Sequence, residues 1–213
     1  MPGAQGAMLT IWGRSTSSNV QKVLWTCEEL GVPFERLDAG REFGQVDQDW
    51  YFQLNPNRLV PTVRDGDLVL WESNSVMRYL ANRYGGETLY PAEPGARSHV
   101  ERWMDWQLST LAPAIAPVFW ALVRPSPGGP DAAQLAALID KLTRTWTLVD
   151  RELAGRPYIA GDRLSLADIA MGNSIRRWYA FDFERPDLPH LAAWHKRLAA
   201  RPGFQMHLMG PVV

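Results

Sequence analysis

Residues 8–30 read MLTIWGRSTSSNVQKVLWTCEEL, and the fold turns on them. Leu9, Ile11 and Trp12 mark a short strand, and Gly13 to Ser18 form a polar turn. Val20, Val23, Leu24, Cys27 and Leu30 then recur at spacings of three and four, which gives a helix one apolar face. Ser17, Ser18 and Asn19 are residue types that cap helix starts by accepting bonds from orphan amides. The dipole makes such an end positive, so a hydroxyl-rich turn there suits an anion.

Outward from this stretch, Gly31-Val32-Pro33 ends the helix and Phe34 to Leu37 alternates as a second strand. Residues 38–50 predict a loop, with a short helix around Trp50 to Leu54, and Asn55-Pro56-Asn57 is a turn signal. Val60 to Val63 opens a third strand, Asp65-Gly66 a tight hairpin, and Leu68 to Trp71 the returning strand. Glu72-Ser73-Asn74 predicts a helix start, with Ser73 as N-cap, for a helix carrying Val76, Met77, Leu80 and Tyr84 and ending at Gly85-Gly86. The order is β-α-β followed by β-β-α.

No strand pattern follows. Residues 87–95 contain Pro91 and Pro94 and read as a linker. Val100, Trp103, Met104, Gln107 and Leu111 share a helical face, which Pro113 and Pro117 are expected to bend or interrupt. Leu135, Leu138, Leu142, Trp146, Val149 and Leu153 form a second stripe. Ser165-Leu166-Ala167-Asp168 resembles a capping box, and Leu188, Leu191, Trp194 and Leu198 mark a further helix stopped by Pro202-Gly203. The expected organisation is a disordered extension over 1–7, an α/β domain over 8–86, the linker over 87–95 and an all-α domain over 96–213.

Composition narrows the function. A net charge of -1 makes no electrostatic case for nucleic acid or an anionic membrane. One cysteine excludes an intramolecular disulfide and fits a reducing compartment. No apolar run was expected to reach the ~20 residues that cross a bilayer. MPGAQGA lacks the basic start and apolar segment of a signal peptide, so a cytoplasmic location is expected.

The pattern resembles the cytosolic glutathione transferase family, through three stretches in order. Asn55-Pro56 to Val60-Pro61 is similar to the family's NP-x-x-x-VP segment, Glu72-Ser73 to its E-S pair, and Ser165 to Asp168 to its second-domain helix start. Ser17-Ser18-Asn19 resembles the bacterial classes that carry Ser or Thr and Asn in this turn. The resemblance implies a thioredoxin-like N-terminal domain, an all-α C-terminal domain, glutathione as co-substrate and a homodimer. It also implies a cis Val60–Pro61 bond, with Val60 pairing in β fashion with the extended tripeptide.

Roles for residues follow from that resemblance. Glu72 suits the γ-glutamyl ammonium and Ser73, with helix amides, its carboxylate. Ser17 and then Asn19 are the candidates for holding the thiolate, with Arg14 offsetting charge or meeting an acidic second substrate. A free thiol has pKa ~8.5, and lowering it by ~2 units takes about 2.7 kcal/mol. A hydrogen bond to a charged acceptor contributes roughly 1.5–3 kcal/mol and a helix end ~0.3–1. One hydroxyl and the helix end suffice without a protein base. Many members carry Lys where this chain has Leu59, so Arg58 or Arg41 is expected to meet the glycine carboxylate instead. Arg124, Trp120 and Trp178 are candidates for the second substrate, a small and possibly anionic or halogenated electrophile, and Asp105 for reaching across a dimer.

Other chemistries find less support. Cys27 lies on the buried stripe two turns into the helix, away from the end that activates thiols. The four histidines lack the i, i+4 spacing of a helical metal pair, and no G-x-S-x-G or phosphate loop occurs. Two alternatives stay open: a glutathione-dependent disulfide oxidoreductase, and a non-catalytic glutathione-binding or interaction module.

Overall fold

The computed structural model describes residues 8–212. The extension expected over 1–7 lies outside them. The chain divides into two compact units, one running to Glu87 and the other beginning at Thr88.

The first unit is an α/β layer of thioredoxin-like form. Strands β1 (Leu9–Trp12), β2 (Phe34–Leu37), β3 (Thr62–Asp65) and β4 (Leu68–Trp71) make one sheet in the order β2-β1-β3-β4. β1 and β2 are parallel, as a strand-helix-strand crossover requires, and the other pairings are antiparallel. Helices α1 (Ser18–Leu30) and α3 (Ser73–Arg83) pack on each other, and α2 (Asp49–Leu54) is short. The core joins Ile11 and Val63 of neighbouring strands to Val20, Val23, Leu24 and Cys27 of α1 and Val76 and Leu80 of α3. Gly31 ends α1 in the left-handed region at φ 63°, where a side chain would be strained. Gly13 matters through proximity: a Cβ there would stand 2.4 Å from Val20 Cγ2. Its bare backbone lets α1 start hard against β1.

The second unit is helical: α4 (Pro94–Trp106), α5 (Ala112–Val123), α6 (Ala132–Glu152), α7 (Leu166–Ala180), α8 (Pro189–Ala199) and α9 (Pro202–Leu208). The prolines do not divide α4 from α5. A π-helical segment, Gln107–Leu111, joins them into one run from Pro94 to Val123. In a π turn a carbonyl accepts from residue i+5, so Ser109 does not depend on the N–H that Pro113 lacks.

This run also corrects the expectation about apolar length. It includes an 18-residue window of mean hydropathy 1.4, long and apolar enough by those measures to span a bilayer. Core helices pass the same test, and α5 buries Ala114, Ile115, Val118 and Phe119 while packing on α6 and α7. Asp168, fully buried, closes the start of α7. It accepts from the amides of Ile159 (3.0 Å) and Ser165 (2.9 Å), from Ser165 Oγ (2.8 Å) and from Trp194 Nε1 (2.9 Å).

Candidate functional site

The turn after β1 delivers the N-terminus of α1 to the carboxyl end of that interior strand. Arg36 Nη1 donates to the Gly13 carbonyl at 2.8 Å and Gln21 Nε2 to the Ser15 carbonyl at 2.9 Å, which pins the turn at both ends. Ser17 is the N-cap, extended at φ -76° and ψ 123°, and largely buried. Its side chain makes no capping bond, and the first turn of α1 carries no acidic residue. The hydroxyl that chemistry would assign to the helix end is thus not engaged by it.

Asn19 sits in the same first turn and accepts from Ser73 Oγ at 3.3 Å. Ser73 was expected as an N-cap; it is instead the first residue of α3, and its hydroxyl reaches across to α1. The residue before it, Glu72, holds φ 69° and ψ 104°, a left-handed conformation that costs a non-glycine residue of order 1–3 kcal/mol. Strain of this kind persists where surrounding contacts enforce it.

The third component is the segment entering β3. The Leu59 carbonyl accepts from Tyr51 Oη (2.8 Å) and from Asn55 Nδ2 (2.9 Å), and both donor side chains also bond Thr62 Oγ1, at 2.8 and 3.0 Å. Asn55 Oδ1 in turn accepts the Asn57 amide at 3.0 Å. This network fixes Leu59-Val60-Pro61, in which the Val60–Pro61 bond is cis.

These three components meet around one hollow of about 40 Å³, lined by Asn19, Leu59, Val60, Pro61, Glu72 and Ser73 together with Asn55, Asn57 and Trp71. A hollow of this size admits a small charged end group such as an ammonium or a carboxylate. Six sequence candidates are therefore gathered at one place. Asn55, Asn57 and Trp71 were not among them; the turn signal around Pro56 and the NP-x-x-x-VP resemblance were the available hints.

The remaining candidates separate. Arg14 lies against the loop that follows β2, its Nη1 3.2 Å from where a Gly40 Cβ would stand, and its buried Nε has no partner. Burial and the nearby cation of Arg41 hold its pKa below the ordinary arginine value, with Glu42 opposing. Arg14 and Arg41 therefore share a neighbourhood. Arg58 is turned elsewhere: its guanidinium donates to the Asp47 carbonyl at 2.5 Å and sits 5.0 Å from the Phe52 ring centre.

In the helical unit Trp120 is half exposed and lines an apolar hollow of about 500 Å³ with Pro117, Pro125 and Leu138. Arg124 lies 5.6 Å from the Trp120 ring and 5.3 Å from Phe119, which Arg177 approaches at 4.0 Å. Trp178 requires correction. It is 1% exposed and packs between Trp146 and Phe183, so it serves the core and does not line a substrate pocket. Asp105 is exposed on α4. Cys27 is buried, and that burial, with the charge of Glu28, pushes its thiol up to about 12.

Lys22 was missed altogether. It lies one turn after Asn19, 3% exposed, and its ammonium donates to Asn74 Oδ1 at 3.3 Å. Burial brings it down to about 8, opposed by the charge of Glu72. Its neighbours Gln21, Trp25 and Thr26 are buried too, so the face of α1 opposite the apolar stripe is covered as well. Periodicity alone marks that face as solvated. No cluster of three or more potential metal ligands occurs among the described residues.

A thioredoxin-like sheet carrying a polar helix end and a small polar hollow, followed by a helical unit, defines the class of two-domain transferases. Family models describe the same division: Glutathione S-transferase, N-terminal domain, matches residues 16–83, and Glutathione S-transferase, C-terminal domain, matches 111–202. The chain is 40% identical over 207 residues to Glutathione S-transferase GstB of Escherichia coli K12, covering 96% of this chain and all of that one. It is 35% identical to Glutathione S-transferase 3 of Zea mays, over 93% of this chain and 92% of the relative. Among solved structures, the theta class glutathione S-transferase of Xanthomonas axonopodis pv. citri with glutathione bound aligns at TM-score 0.89 and 44% identity, covering 96% and 99% of the two chains. The chain belongs to the glutathione S-transferase family.

Proposed function

We propose that this chain conjugates glutathione by activating its thiol at the N-terminus of α1. The observation that carries the reading is the Ser73–Asn19 hydrogen bond, which brings the starts of α3 and α1 to one hollow. The γ-glutamyl end enters that hollow, its ammonium at Glu72 and its carboxylate at Ser73. The peptide backbone runs along Val60, and the sulfur reaches Ser17 and Asn19. The unengaged Ser17 hydroxyl donates to the thiolate, and the positive helix end adds to it. Arg41, beside Arg14, suits the glycine carboxylate better than Arg58, whose donors are already turned to Asp47.

The thiolate then attacks an electrophile held by the helical unit, which supplies apolar surface at Trp120 and charge at Arg124. Catalysis is nucleophile activation plus proximity. A small halogenated or anionic electrophile fits that mixture, and detoxification in the cytoplasm is the setting it suits. A homodimer, with Asp105 near the partner's γ-glutamyl group, belongs to the same reading. Disulfide chemistry on the protein's own sulfur is disfavoured, because Cys27 is buried with a raised pKa.

The test is to add glutathione at neutral pH, follow the ultraviolet thiolate band, and assay conjugation against a panel of neutral and anionic alkyl halides. A band with turnover supports the proposal. Binding without the band favours a non-catalytic module, and reduction of mixed disulfides without conjugation favours an oxidoreductase.

A further inference from the structure

The most costly side chain near the hollow makes no contact with glutathione in the proposed placement. Lys22 is an ammonium 3% exposed. Burying a cation costs several kcal/mol, which only good partners offset, and a methionine of similar size would avoid that cost. Its observed surroundings are specific. Lys22 lies three residues after Asn19, hence on a neighbouring face of α1. Its Nζ donates to Asn74 Oδ1 at 3.3 Å, and its charge interacts with Glu72. One turn earlier Asn19 accepts from Ser73 at 3.3 Å. Successive residues of the α3 start are thus tied to α1, at the point where Glu72 adopts φ 69°.

We infer that Lys22 is a positioning residue for the γ-glutamyl end of glutathione: by holding Asn74 it keeps the start of α3 in the conformation that presents Glu72 and Ser73 to the hollow. This rests on the proposed placement of glutathione. Lys22 does not touch the substrate in this account. It acts through the Glu72-Ser73-Asn74 backbone, so its influence is directed at the γ-glutamyl end.

That target supplies a test. Cysteinylglycine has the thiol and the C-terminal carboxylate of glutathione but lacks the γ-glutamyl group. In the full-length protein, Lys22→Met should raise the KM for glutathione about tenfold and change kcat less than twofold. The kcat/KM for cysteinylglycine should stay as in the unaltered chain. An equal loss with both thiols or an unchanged preference for glutathione would overturn the inference. If Lys22→Met does not fold, as judged by circular dichroism, Asn74→Ala tests the same link with the same expected pattern. Should the unaltered chain itself show no preference for glutathione over cysteinylglycine, the placement of the γ-glutamyl end fails, and that outcome is distinguishable from a failure of Lys22 alone.

Discussion

Among the described residues two helices begin with a serine at the N-cap, and they use it differently. At α7 Ser165 donates its hydroxyl to Asp168, three residues on, and the carboxylate also collects two amides and an indole N–H. That helix end is closed by the protein's own acid. At α1 Ser17 makes no side-chain cap bond, and the first turn holds Ser18, Asn19 and Val20, without an acid. A helix end left without an internal anion is suited to an external one, and a closed one contributes stability alone. The same residue type at the same helical position thus supports two different tasks.

Breaking the closed end should give the largest effect. Asp168→Ala leaves at least three buried donors without their acceptor, each costing ~1–3 kcal/mol. We expect a stability loss of about 3–5 kcal/mol, of the size seen when a buried charged network is broken, read from urea unfolding. A loss below ~1 kcal/mol would show that the network is not what holds α7.

Making the open end resemble the closed one sharpens the contrast. Asn19→Asp keeps an acceptor for Ser73 but puts a carboxylate in the first turn of α1. The helix should gain ~0.3–1 kcal/mol from its dipole, while the glutathione thiolate band at pH 7 should fall at least tenfold. An undiminished band would mean that the sulfur rests elsewhere.

The third prediction concerns Cys27, on the apolar side of α1. Its thiol, pushed up to about 12 in the folded protein, ionises near ~8.5 once exposed. The unfolded chain therefore binds fewer protons above that pH. Stability associated with Cys27 is complete below ~8.5 and is lost as pH rises toward 12. Cys27→Ala should flatten this alkaline fall in stability, and in the native protein iodoacetamide should label Cys27 more than tenfold slower than in urea. The smallest effect is expected at Arg58: Arg58→Ala should change glutathione affinity less than twofold, whereas Arg41→Ala should weaken it severalfold by equilibrium titration.

Local features were legible in the sequence. The Asp65-Gly66 hairpin, the stripe of α1 and the Ser165–Asp168 spacing each depend on residues within one or two turns of one another, which periodicity captures. Contacts between distant segments were not. Nothing in residues 8–30 indicates that Lys22 meets Asn74 fifty-two positions away, or that Asn19 meets Ser73 fifty-four away. Trp120 and Trp178 look alike as aromatic positions on helices; only the packing of α7 distinguishes the half-exposed one from the buried one. Pro113 does not interrupt the helix because a π segment precedes it, and Pro117 lies inside α5 without ending it.

The central claim, that the Ser17 hydroxyl stabilises the sulfur of bound glutathione, is tested most directly by titrating the thiolate absorbance of the complex against pH in the unaltered chain and in Ser17→Ala. Losing a hydrogen bond to a charged acceptor costs roughly 1.5–3 kcal/mol, so the midpoint should rise by about 1–2 pH units. Because Ser17 makes no side-chain cap bond, the stability of the free protein should change by less than ~0.5 kcal/mol. A midpoint that stays where it is in the unaltered complex, with glutathione still bound, would contradict the account.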